Sequence, residues 1–302
     1  MTAGVVYSGI LRAPGEKKII ATQSRRRRSI FRTIEIKANT GFLQFFLDLF
    51  PGIVIILFSM EIITAKNLTK DYSGFRAVDH VSFSIISGEC FGFLGPNGAG
   101  KTTIMRVLYC FMPPTSGDVR VLDLDVTRDA SLIKSRMGVM PQDDSLDPDL
   151  SVMQNLVVYA RYFDIPKKTS SIMAKELLLS VGLTDKMNSG IRELSGGMKR
   201  SLLLVRSVIN DPEIIILDEP TTGLDPHSRQ MVWKRLAELK AQGKTLLLTT
   251  HYMEEAQRLC DRVAIVDRGK IIVIASPEEL MDRHGGNLED VYLKLTGRKL
   301  ES

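Results

Sequence analysis

Gly95-Pro96-Asn97-Gly98-Ala99-Gly100-Lys101-Thr102 reads glycine, four residues, glycine, lysine, threonine, the spacing of a phosphate-binding loop. Glycines let the backbone fold round phosphate groups with its N–H donors pointing inward, and a following helix turns its positive end toward the anion. Lys101 is placed to reach the β- and γ-phosphates of a nucleotide, and the Thr102 hydroxyl to ligate Mg²⁺. Thr103, next in line, is counted with the nucleotide-binding residues. The short apolar run CFGFL before the loop reads as a strand, which gives the loop the strand–loop–helix setting that the motif requires.

A second set of chemical groups stands about 120 residues on. Ile214-Ile215-Ile216-Leu217-Asp218-Glu219 is an apolar strand ending in two carboxylates. Asp218 is placed for the metal, directly or through water. Glu219, one step further, is expected on the opposite side of the pleat, facing the attacking water as general base. A strand ending in Asp-Glu is common by itself; beside a phosphate loop it points to nucleotide hydrolysis. Kinases and GTPases remain open at this stage. Leu194-Ser195-Gly196-Gly197-Met198-Lys199-Arg200 narrows the choice, because it is a second glycine turn entering a helix, one helix ahead of the acidic strand.

These residues need a scaffold, and the pattern supplies one. Val81, Phe83 and Ile85 alternate with polar neighbours, as in a half-buried strand, and Ser87-Gly88 makes a turn. Arg136 to Met140 reads as a strand ending at Pro141-Gln142. Ser151 and Gln154 make a capping box at the start of a helix, and a second helix runs from Thr169 to Val181. A helix over about Met198 to Ile209, the acidic strand, a helix around Met231 to Lys240 and a strand over Thr245 to Thr249 follow. Arg262 to Ala275 reads as a hairpin turning at Asp267-Arg268-Gly269, and Leu288 to Leu295 as an amphipathic helix. Strands alternating with helices make an α/β fold with a mostly parallel sheet covered on both faces.

The full set resembles the ATP-binding-cassette (ABC) ATPases over nearly all of residues 60–302. The likeness also rests on Gln142 in MGVMPQ, Leu224-Asp225 after the acidic strand, His251 after TLLLTT, and Tyr72 in LTKDYSG. It implies a P-loop NTPase core flanked by helices, an antiparallel β subdomain and an inserted helical subdomain over about 143–197. It also implies ATP and Mg²⁺ as ligands. Tyr72 would stack on adenine, and Gln142 would sense the γ-phosphate and metal while contacting a transmembrane partner. Ser195, Gly196 and Gly197 would bind the γ-phosphate held by a second protomer, with Asp225 at the dimer seam. His251 would clamp the γ-phosphate and position the water. Catalysis thus falls to Glu219, His251 and Gln142, and the metal to Thr102, Gln142 and Asp218.

Met198 stands where many members have glutamine. GGMKR, TTGLDPHSRQ and LEDVYLKLTGRKL look like the ABC-2 group, which includes drug-resistance ATPases and nodulation-signal exporters. The expected protein is a peripheral ATPase on the cytoplasmic face of a membrane, a homodimer powering a separate permease. A soluble cassette acting as a clamp is the alternative. Only 94 positions separate Lys101 from Ser195, with no sustained heptads between them, which speaks against it. His80, His227 and His284 match no catalytic position and read as surface or packing residues.

Charge and composition bound the rest. Of the net +5, residues 1–59 carry +6 and residues 60–302 carry −1, so the cassette has no excess charge for a nucleic-acid backbone. Three cysteines far apart in sequence (Cys90, Cys110, Cys260) do not make a disulfide framework, and a reducing cytosol suits them. Residues 1–59 read as a leader, disordered or untranslated, with a start at Met60. The apolar stretch Gly41 to Met60 approaches a bilayer-spanning length, but Asp48 and Pro51-Gly52 interrupt it.

Overall fold

The computed structural model describes residues 60–297 continuously, together with four short strands nearer the N-terminus. Those strands, β1 (Tyr7–Leu11), β2 (Ile19–Gln23), β3 (Arg32–Glu35) and β4 (Val54–Ile56), form one sheet in chain order. Nothing in the sequence pattern announced them. They belong to a unit over Met1–Glu61, and Ile62–Ser302 makes a second. The arginine run 25–28 and most of the apolar stretch, Asp48 and Pro51-Gly52 included, lie outside the described residues.

The second unit is built on a six-stranded sheet. Its order is β10 (Met137–Met140), β11 (Ile214–Asp218), β12 (Thr245–Thr250), β7 (Cys90–Leu94), β13 (Arg262–Asp267) and β14 (Lys270–Ala275). The first five run parallel, and β14 closes the edge antiparallel to β13. Strands β7, β11 and β12 are buried at every residue, which is why they read as unbroken apolar runs. Alternate residues feed two cores. Ile215, Leu217, Leu246 and Leu248 pack with Trp233 and the helical insertion, while Ile214, Ile216, Leu247, Phe91 and Phe93 pack on the other face.

A four-stranded antiparallel sheet, β6 (Phe75–Ile86), β5 (Glu61–Tyr72), β8 (Ser116–Val121) and β9 (Leu124–Asp125), forms the expected β subdomain. Helix α1 (Lys101–Leu108) follows the phosphate loop, and α2 (Ala130–Ser135) leads into β10. The helical insertion holds α3 (Val152–Ala160) and α4 (Lys167–Ser180). Ser151 caps α3 as its sequence indicates: Ser151 Oγ accepts from Gln154 N at 3.2 Å, and Gln154 Oε1 from Ser151 N at 2.8 Å. Helix α5 (Gly196–Ser207) returns the chain to β11. It is followed by α6 (Pro226–Ala241), α7 (Met253–Leu259), α8 (Pro277–His284) and α9 (Leu288–Thr296). Among the described residues no helix is long and apolar enough to cross a membrane.

Parallel strands send their carboxyl ends to one edge of the sheet. The register places Met140 beside Leu217, Asp218 beside Thr249, and Thr250 beside Leu94. The residues that follow, Gln142, Glu219, His251 and the phosphate loop, therefore emerge together, where open α/β sheets hold their ligands.

Candidate active site

The phosphate loop leaves β7 and is tied at its start to β12, with Gly95 N donating to Thr250 O at 3.4 Å. Gly100 heads α1 at φ 105°, and a Cβ there would lie 2.5 Å from the Ala77 carbonyl, so only glycine brings the loop this close to β6. Lys101 is 4% exposed and donates from Nζ to the carbonyls of Gly95 and Pro96 at 2.6 and 2.9 Å. Burial pushes its ammonium down, and the charges of Glu219 and Asp218 oppose that. Its neighbours Asn97, Gly98, Ala99, Gly100, Thr102 and Thr103 line a cleft of about 440 Å³. Tyr72, Phe75, Ala77, Arg106, Gln142 and Glu219 complete the lining.

Asp218 sits behind Thr102. Its Oδ1 accepts from Thr102 Oγ1 at 3.2 Å and from the Thr249 hydroxyl of the neighbouring strand. Burial pushes its carboxyl up, while those two hydroxyls pull it down. One hydroxyl and one carboxylate at the foot of a phosphate loop are the donor set that suits Mg²⁺, a hard ion that takes its remaining oxygens from phosphate and water. Among the described residues no group of three or more His, Cys, Asp or Glu side chains gathers to hold a metal alone. A cation here depends on a nucleotide.

Glu219 departs from the pleat argument. Strand β11 ends at Asp218, and Glu219 turns into the left-handed region at φ 49°. A local turn, rather than strand alternation, aims its side chain. The turn is held from several sides. Glu219 N donates to Thr249 Oγ1 at 3.0 Å, and Glu219 O accepts from Arg200 Nη2 at 3.1 Å. Its carboxylate accepts from Gln142 Nε2 at 3.3 Å and Thr222 Oγ1 at 3.1 Å. His251 Nδ1 stands 3.4 Å from Glu219 Oε1 without an aligned hydrogen bond. Glu219, Gln142 and His251 therefore meet at one point beside the phosphate loop.

Ser195, Gly196, Gly197 and Asp225 do not line this cleft. They gather in a second place. Ser195 caps α5, its Oγ accepting from Met198 N at 3.3 Å, and Asp225 caps α6 through the N–H groups of His227 and Ser228, each at 3.0 Å. Gly197 packs against Ser228. No role follows from the sequence for Phe75, Arg106, Thr222, Thr249 or Arg200. Phe75 alone carried a signal, an aromatic three residues after Tyr72 on the far side of a turn.

The residues over 78–222 match the model described as ABC transporter. A protein named Nod factor export ATP-binding protein I from Rhizobium etli is 45% identical over 223 residues, covering 74% of this chain and 71% of that one. The Bradyrhizobium diazoefficiens protein of the same name is 48% identical, covering 75% and 77%. The chain belongs to the ABC transporter family. The chain spans 66% of the length of the Mesorhizobium japonicum relative, also named Nod factor export ATP-binding protein I and 48% identical. Among solved structures, the ATP-binding subunit of an ABC transporter superposes with a TM-score of 0.71 at 25% identity, over 78% of this chain and 99% of that one. A dimeric ATP-binding cassette in a post-hydrolysis state, bound to ADP and Pi, gives 0.66 at 25% identity, over 71% and 98%.

Proposed function

We propose that this cassette is the motor subunit of an ABC-2 type exporter, working as a homodimer on a separate permease at the cytoplasmic face of the membrane. The observation that carries the reading is the convergence of Gln142, Thr222 and His251 on the Glu219 carboxylate beside the cleft. Export is supported by the relatives named for Nod factor export, and the partner protomer by the second cluster around Ser195, Gly197 and Asp225, which stands apart from the chain's own cleft. The absence of excess charge on residues 60–302 argues against a nucleic-acid partner.

ATP is the substrate. The loop N–H groups and Lys101 bind its phosphates, and Tyr72 and Phe75 offer faces for adenine. Thr102 and Asp218, with Gln142, would hold Mg²⁺, which neutralises charge on the β- and γ-phosphates. Glu219 takes the proton from water as the water oxygen bonds to the γ-phosphorus and the bond to the ADP oxygen breaks. His251 and Gln142 fix the positions of that water and of Glu219. Replacing Glu219 with Gln tests this: nucleotide binding should persist while hydrolysis falls roughly 10²–10⁴-fold. Near-normal turnover would remove Glu219 from the mechanism. Co-purification of a membrane protein with the full chain tests the permease.

A further inference from the structure

Glu255 is 0% exposed, yet it touches neither the cleft nor solvent. A carboxylate so placed costs stability unless donors surround it. Its Oε1 accepts from Thr221 Oγ1 at 2.7 Å and from Trp233 Nε1 at 2.9 Å. Burial pushes its carboxyl up, and contacts with Thr250, Trp233 and Thr221 pull it back.

Its two donors, both on Oε1, and the neighbouring Thr250 come from three elements of the site, while Oε2 has no hydrogen-bond partner. Thr221 lies two residues after Glu219, in the same turn. Trp233 is on α6, the helix capped by Asp225. Thr250 directly precedes His251, and its Oγ1 accepts from Tyr252 N at 2.9 Å, so the segment is fastened on both sides of the histidine. Glu255 itself is on α7, which starts two residues beyond His251. Arg229, also on α6, lies over the Tyr252 ring at 4.8 Å, and that ring stands 4.2 Å from the His251 ring.

We propose that Glu255 is a positioning residue that locks His251 to the turn carrying Glu219 and to the helix headed by Asp225. The proposal rests on Glu219 and His251 being the hydrolytic pair. Glu255 touches no substrate; it acts through the histidine, and ties that histidine to the helix facing the partner protomer.

The test uses the full chain with Mg-ATP. Glu255→Leu should lower kcat about 10–100-fold, the cost of a displacement near 1 Å, with KM for ATP close to that of the unaltered chain. Glu255→Gln keeps an acceptor oxygen for Thr221 and Trp233 and should recover most of that loss. Adding His251→Ala to Glu255→Leu should cost several-fold less than His251→Ala alone, since both act on one group. Emission of Trp233, the single tryptophan, reports the folded fraction of each variant. If Glu255→Leu does not fold, Thr221→Val removes one donor at constant volume and should lower kcat several-fold. Losses that multiply, or that follow only the folded fraction, would overturn the proposal while the hydrolytic pair stands. Full turnover by His251→Ala would bring down that pair and the proposal with it.

Discussion

Gly197 and Ser228 are in contact so close that a Cβ on Gly197 would lie 2.2 Å from Ser228 Oγ. That hydroxyl donates to Asp225 Oδ2 at 2.6 Å, so it cannot swing aside without losing its own bond to the residue that caps α6. The first turn of α5 and the start of α6 are fitted to each other. Overpacking of this kind costs about 1–3 kcal/mol. Gly197→Ala should leave ATP binding at Lys101 unchanged and weaken ATP-dependent dimer formation, read by light scattering beside a direct nucleotide titration. A dimer as strong as that of the unaltered chain would show that the turn does not face a partner.

Tyr72 and Phe75 are both on the cleft, 38% and 65% exposed. Tyr72 is steadied by Met112, to whose Sδ its hydroxyl donates at 2.8 Å, while Phe75 has greater freedom to meet a base. Stacking of a base on an aromatic ring contributes about 1–3 kcal/mol. Tyr72→Ala and Phe75→Ala should each weaken ATP binding roughly 5–150-fold while leaving binding of inorganic triphosphate unchanged. Equal loss for both ligands would place these rings away from the base.

The elements around the cleft were legible in the sequence because their motifs are local. The phosphate loop, Glu219, Gln142 and His251 each follow one of the parallel strands of a single sheet, so strand recognition was enough to bring them together. Glu219 shows the limit. Period-two alternation predicted its direction, but the strand stops one residue earlier and a positive φ takes over. Arg200 and Glu255 were invisible for another reason: an arginine or glutamate in a helix reads as a solvated face until tertiary packing shows which carbonyls and hydroxyls surround it. Cys90 and Cys260 are the same case. They are 170 positions apart, yet both thiols are buried and in contact, and that contact together with burial pushes the Cys260 thiol well up.

Acid stability should report the joint between β6 and the hairpin. Asp79 is held down from 3.8 to about 2, first by His80, then by Lys270 and Arg76 against the opposing effect of burial. Its backbone N–H donates to Gly269 O at 2.8 Å, so it stands where β6 meets the β13–β14 turn. A carboxyl with a lowered folded value contributes stability that is complete above 3.8 and is lost as pH falls toward 2. Asp79→Asn should therefore flatten the decline in stability between those limits and leave the profile at neutral pH parallel to that of the unaltered chain. Urea titrations at stepped pH measure it, and an unchanged acid slope would contradict it.

Arg200 joins α5 to the Glu219 turn within one chain. It lies five residues after Ser195 on α5, and burial pushes its guanidinium down, opposed by Asp144, Glu219 and Asp218. Nη1 donates to Pro141 O and Nη2 to Glu219 O, each at 3.1 Å, so one planar fork spans the residue before Gln142 and the turn that aims Glu219. Lysine keeps the charge but has no fork, and it cannot serve both carbonyls in this geometry. Glu219 O would keep only the N–H of Thr222 at 3.3 Å, on a backbone already at positive φ, and losing a hydrogen bond from a charged donor costs about 1.5–3 kcal/mol. Arg200→Lys should thus bind ATP normally and lose roughly tenfold or more in kcat, with Glu219 free to leave its aim. Single-turnover hydrolysis beside equilibrium nucleotide binding separates the two quantities. A variant with unchanged kcat would mean that Thr249 and Thr222 hold the Glu219 turn without help from α5.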